Sequence, residues 1–114
     1  MNNIISYKNK TVGILGVGMS GLAAAKVLLN SNANVFAFDD LKGKPPTLPK
    51  SSWINYQKWP WLKLSALVVS PGIPINKDIK RKAIQLALDN NVKIINDIDL
   101  FVETKPKAKI IGIT

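Results

Sequence analysis

The 114-residue sequence contains no cysteine and no histidine, and only one glutamate and one arginine. Without cysteine there is no disulfide framework and no thiolate chemistry. Without histidine the usual proton shuttle at neutral pH and the commonest metal ligand are missing. Six aspartates and Glu103 leave few carboxylates for metal or acid–base work. These absences argue against a self-contained hydrolase or metalloenzyme, and for a binding domain. No apolar run reaches the roughly 18 residues that a membrane helix needs, so no membrane partner is expected. Residues 1–8 carry neither the apolar stretch nor the cleavage site of a secretory signal, which makes the expected location cytoplasmic.

What is present fits an ordinary globular protein. Apolar residues make up 46% and charged residues 20%, a balance that excludes a disordered chain. The length suits one domain, residues 1–114, at roughly 100–200 residues per domain. The net charge of +9 comes almost wholly from lysine, since Arg81 is the single arginine. Surfaces that read bases or clamp phosphates favour the planar fork of arginine. The lysine excess, with its many Asn and Ile, therefore reads as solvated surface and the drift of an AT-rich genome, and no nucleic-acid partner is expected. A positive field can still draw in a small phosphorylated ligand.

Strand and helix signals alternate along the chain. Thr11-Val12-Gly13-Ile14-Leu15 is a short apolar run ending in glycine, the pattern of a buried strand. Residues 20–29 place Leu22, Ala25, Leu28 and Leu29 at helical spacing. Asn32 can take the left-handed conformation that helix ends favour. Val35-Phe36-Ala37-Phe38 is a second buried strand and completes a β-α-β unit of about 30 residues. Pro45, Pro46 and Pro49 exclude regular structure in the loop that follows. Residues 53–57 alternate weakly, as a short third strand would, and Pro60 can open a helical turn. Trp53, Trp59 and Trp61 read as core or edge packing in preference to a base-stacking surface. Residues 66–69 form a strand. Asn76 caps a helix over 77–89, whose core face is Ile79, Ala83, Leu86 and Ala87. Residues 92–95 form a strand, 97–102 a short helix that Pro106 keeps from continuing, and 108–113 a last apolar strand. The order predicts an α/β protein: a Rossmann-like, doubly wound, mainly parallel sheet of five to six strands with helices on both faces.

Two motifs carry chemistry. Gly16-Val17-Gly18-Met19-Ser20-Gly21 is a GxGxxG placed between a predicted strand and a predicted helix, the context that gives this weak pattern meaning. Gly16 permits a tight turn, Gly18 lets backbone approach a diphosphate, and Gly21 lets helix pack on strand. The helix start offers unpaired N–H groups and partial positive charge to phosphate oxygens. A glycine-rich turn with no ligand is the plainer alternative. Asp39 lies eighteen residues after Gly21, where dinucleotide folds place an acid on the adenosine ribose, so NAD is the first-pass ligand. Asp39 or Asp40 could instead cap the next turn. Ser70-Pro71-Gly72 ends a later strand on the same carboxyl edge of the sheet, either as part of that site or as an ordinary turn.

In order along nearly the whole chain, these pieces resemble the N-terminal domain of the Mur ligases of peptidoglycan synthesis, and most closely the MurD branch. The matches are the glycine motif through Leu22; Asp39; Ser70-Pro71-Gly72-Ile73; Asn96-Asp97-Ile98-Asp99-Leu100-Phe101, similar to the family's GDIELF; and Ile110-Ile111-Gly112-Ile113-Thr114, similar to the strand before the ATP loop. The SPGI and DIxLF pieces are far more specific than the glycines. The resemblance implies a domain that binds UDP-N-acetylmuramoyl-L-alanine, not NAD. It places Gly16, Gly18, Met19, Ser20 and Gly21 against the nucleotide or its phosphates, Asp39 and Asp40 beside the uracil, and Ser70 and Gly72 in a further contact turn. Two positions depart from the family: Asn96 stands where Gly is usual, and Leu41 where some members carry Arg beside the uracil.

The resemblance further implies that ATP, Mg2+ and D-glutamate are handled by residues of later domains. The expectation for this chain is thus no catalytic residue, no metal, no cofactor of its own, no turnover alone, and a monomer. An NAD(P)-binding oxidoreductase domain leaves the SPGI and DIDLF segments unexplained. A non-catalytic nucleotide-sensing module is the other alternative.

Overall fold

The computed structural model describes residues 7–40, 43–69 and 76–96. Six regular elements follow one another: β1 (Thr11–Leu15), α1 (Met19–Asn30), β2 (Asn34–Phe38), β3 (Leu64–Val69), α2 (Lys77–Asp89) and β4 (Lys93–Ile95). The four strands form one parallel sheet in the order β2-β1-β3-β4. The chain leaves β1 toward one side, makes β2, and returns past β1 to build β3 and β4 on the other. Strand order therefore reverses between β1 and β3, whose carboxyl ends pair Leu15 with Val69. The predicted helix at 97–102 and strand at 108–113 lie outside the described residues.

The strands read as apolar runs because both faces are covered. On one face, Val12 and Ile14 of β1, Val35 and Ala37 of β2, and Ala66 and Val68 of β3 pack with Ala24, Ala25 and Leu28 of α1. On the other, Leu15 and Leu67 pack with Ala83 and Ala87 of α2 and with Tyr56, Trp59 and Trp61. Alternate residues of each strand thus enter different cores, as a period of two requires. With α1 on one face and α2 on the other, the sheet is doubly wound, as the sequence predicts.

Both helices end in the same motif. The N–H groups of Asn32 and Ala33 donate to the carbonyls of Leu29 and Leu28, and those of Asn91 and Val92 to Leu88 and Ala87. Asn32 and Asn91 sit at φ 63° and 57°, so asparagine does at both ends what glycine more often does. Asn76 caps α2 as its sequence suggests, its Oδ1 accepting from the N–H groups of Asp78 and Ile79.

The third strand expected at residues 53–57 is not formed. It is reduced to one parallel bridge between Trp53 and Ala37. Three short 3-10 turns, Lys50–Ser52, Tyr56–Lys58 and Trp61–Lys63, carry the chain across the face of the sheet instead. The cause is competition for the backbone. The Asn55 side chain accepts from the Gln57 N–H, and the indole N–H groups of Trp59 and Trp61 donate to the carbonyls of Ile54 and Tyr56. Groups that a ladder would use are already bonded locally. Trp59 and Trp61 are buried with ring centroids 5.5 Å apart, which bears out the packing role read from sequence.

Candidate functional site at the carboxyl edge of the sheet

The glycine motif forms the turn from β1 into α1, at the reversal of strand order. Gly16 adopts φ 92°, a left-handed conformation that side chains resist. Its N–H donates to the carbonyl of Phe38 at 2.8 Å, tying the turn to the end of β2. Gly18 is the N-cap of α1, and its carbonyl accepts from the Leu22 N–H at 2.9 Å. Being glycine, it brings no side-chain oxygen to the first-turn N–H groups, and no acidic residue stands in that turn. Met19 and Ser20 are the first two residues of α1. A Cβ on Gly21 would overlap the carbonyl oxygen of Gly16, so glycine there is what lets helix and loop touch. The result is a helix start with orphan donors and partial positive charge facing the crevice, an anion-binding arrangement.

The two aspartates at the end of β2 have different surroundings. Asp39 is buried, 5% exposed, and its Oδ2 accepts from the Val17 N–H at 2.9 Å. Asp40 is exposed, and its Oδ2 accepts from the Asn76 N–H at 3.3 Å. Asp40 thereby meets the start of α2 across the same edge. Ser70 and Gly72 lie outside the described residues; their flanks are Val69, at the carboxyl end of β3, and Asn76, beside Asp40. Gly16, Gly18, Met19, Ser20, Gly21, Asp39 and Asp40 are thus gathered at one edge. The Val17 amide and Asn76 belong to the same cluster, and no local sequence signal marks either as a partner of the aspartates, because both bonds close between residues far apart in the chain.

The helix start offers N–H donors to an anion. Among the described residues no three of His, Cys, Asp or Glu come together as metal ligands. No described helix is long and apolar enough to cross a membrane. A cavity of about 390 Å³ lined by Thr11, Asn34, Phe36, Ser52 and Lys63 lies at the opposite, amino edge of the strands. It is remote from the glycine turn, and ligands of open parallel sheets sit at the carboxyl edge.

The sequence is similar to several UDP-N-acetylmuramoylalanine–D-glutamate ligases. It is 38% identical over 113 residues to that of Wolbachia sp. subsp. Brugia malayi, covering 95% of this chain and 23% of the relative. It is 34% identical over 115 residues to that of Haemophilus influenzae strain Rd, covering 96% and 25%. It is 33% identical over 118 residues to that of Mesorhizobium japonicum, covering 96% and 25%. The chain spans about a quarter of the length of the curated relatives it matches. No family model matches it, and no solved structure does. Over that quarter, with nearly all of its residues aligned and a doubly wound α/β fold, the chain is similar to the matching part of the MurD-type Mur ligases.

Proposed function

We propose that residues 1–114 form the domain that binds UDP-N-acetylmuramoyl-L-alanine for an ATP-dependent ligase adding D-glutamate in peptidoglycan synthesis. The observation that carries this reading is the start of α1. It lies at the reversal of strand order, is capped by Gly18, and is free of acidic residues in its first turn. The diphosphate meets the N–H groups of Gly18, Met19, Ser20 and Gly21 there. The base lies beyond the carboxyl end of β2, at Asp40, with Asp39 in support, and Ser70 and Gly72 are assigned a further contact with the UDP-sugar. The domain holds the remote nucleotide so that its binding energy orients the distant carboxyl group. In the whole ligase ATP transfers its terminal phosphoryl group to that carboxylate with release of ADP, and the amine of D-glutamate attacks the acyl phosphate and displaces inorganic phosphate to form the amide. We assign no bond-making role to a residue of this chain, and place ATP and Mg2+ with residues outside it.

The names of the relatives support this reading over an NAD site, and so does Asp39. A ribose-binding acid has to face the ligand, whereas Asp39 is 5% exposed and bonded to the loop. The test is a protein-observed NMR titration of the chain with UDP-N-acetylmuramoyl-L-alanine and NAD in parallel at moderate salt. Shifts at residues 16–21, 39–41 and 72 with the UDP compound alone support the reading. Shifts with NAD alone overturn it.

A further inference from the structure

The two adjacent carboxylates at the end of β2 are held in opposite ways, and the difference bears on how the loop works. Asp39 lies beneath the glycine turn and takes the Val17 N–H at 2.9 Å across twenty-two residues of chain. The next donor back, the Gly16 N–H, is also taken, by the carbonyl of Phe38. Two consecutive N–H groups of the turn are therefore tied to Phe38, the last residue of β2, and to Asp39, the residue after it. Those that follow belong to the N-cap and first turn of α1, where helix geometry leaves N–H groups without an intrahelical partner.

We propose that Asp39 is a positioning residue: by binding the Val17 N–H it fixes the shape of the turn and confines the phosphate-facing donors to Gly18 and the first turn of α1. It does not itself contact the nucleoside. This deepens the reading above and rests on it. A carboxylate aimed at phosphate would repel it. The same group turned under the loop satisfies a buried donor whose loss would cost more than an ordinary hydrogen bond, because one partner is charged and both are buried. Asparagine keeps an acceptor at the same place, whereas alanine leaves the Val17 N–H without one.

The test uses residues 1–114 as wild type, Asp39→Asn and Asp39→Ala. Amide hydrogen exchange is followed without ligand, then binding of UDP and of uridine. The expected result is a protected Val17 N–H in the wild type and Asp39→Asn, with protection falling about tenfold or more in Asp39→Ala. UDP affinity falls about tenfold in Asp39→Ala and stays within about threefold in Asp39→Asn, while uridine affinity is the same in all three. A Val17 N–H that exchanges as freely in the wild type as in Asp39→Ala overturns the proposal. So does a uridine affinity that falls together with that for UDP, since Asp39 would then be a nucleoside ligand. If Asp39→Ala does not fold, Asp39→Asn decides: unchanged uridine binding with a protected Val17 N–H supports the proposal, and weakened uridine binding overturns it. A wild type that binds neither compound defeats the UDP reading, and protection at Val17 then decides the role of Asp39 alone.

Discussion

The indole ring of Trp59 lies where a side chain on Gly13 would have to go. A Cβ at Gly13 would stand 2.5 Å from Cζ3 and 2.7 Å from Cε3 of that ring. Gly13 is the middle residue of β1 and pairs with Phe36 and Leu67 in the neighbouring strands, so the central strand cannot shift without moving both. Trp59 is fixed in turn by its indole bond to Ile54 at 2.7 Å. Gly13→Ala should therefore destabilise the fold by about 1–3 kcal/mol, the usual range for overpacking. Urea unfolding would show it as a lower midpoint with unchanged slope. Shortening the ring in the same molecule, as Gly13→Ala with Trp59→Leu, should cost less than the two single changes added together.

At Gly21 two effects oppose each other. Alanine is the better helix former by about 1 kcal/mol. Its Cβ, however, would overlap the Gly16 carbonyl, which cannot yield easily because the turn is held by φ 92° and the bond to Phe38. The steric term should win, and Gly21→Ala should lose about 1–3 kcal/mol. Gly43 has open space around it, so Gly43→Ala should stay within about 0.5 kcal/mol of wild type in the same unfolding assay.

The two Asn helix ends give a third expectation. A non-glycine residue in the left-handed region costs about 1–2 kcal/mol, and asparagine lowers that by bonding locally. Asn32→Ala and Asn91→Ala should each destabilise by about 1 kcal/mol, with Asn→Gly at the same sites costing less. An equal loss for alanine and glycine would show that the Asn side chains matter for something other than φ.

These positions also show which parts of the structure the sequence discloses. β1, α1, β2, β3, α2 and β4 come within a residue or two of their expected spans, because apolar period, caps and Asn stops are local signals. The Gly16 turn is likewise legible from spacing alone. The stretch around Trp53 is not, since what defeats the strand is a set of bonds from Asn55 and from indoles several residues downstream. Gly13 reads as one more small residue in an apolar strand until Trp59 arrives against it from the far side of β2. The sequence marks Asp39 as functional by its place after β2. That its carboxylate turns to Val17, and that of Asp40 to Asn76, depends on how the strand ends meet.

Asn76 allows two contributions to be separated at one residue. Its side chain accepts from Asp78 at 2.8 Å and Ile79 at 3.3 Å, while its own N–H donates to Asp40. Asn76→Ala removes the cap and leaves the N–H in place, so it should cost about 1 kcal/mol, with Asn76→Ser recovering most of that. Asp40→Ala removes the tie and leaves the cap. That bond is exposed and long, so its loss should cost under about 1 kcal/mol. If Asp40 meets the base, however, uridine binding should weaken in Asp40→Ala and not in Asn76→Ala. Unfolding and titration of both variants would therefore assign the cap to stability and the exposed carboxylate to recognition. Weakened uridine binding in both would mean instead that the start of α2 and the end of β2 act as one unit in forming the site.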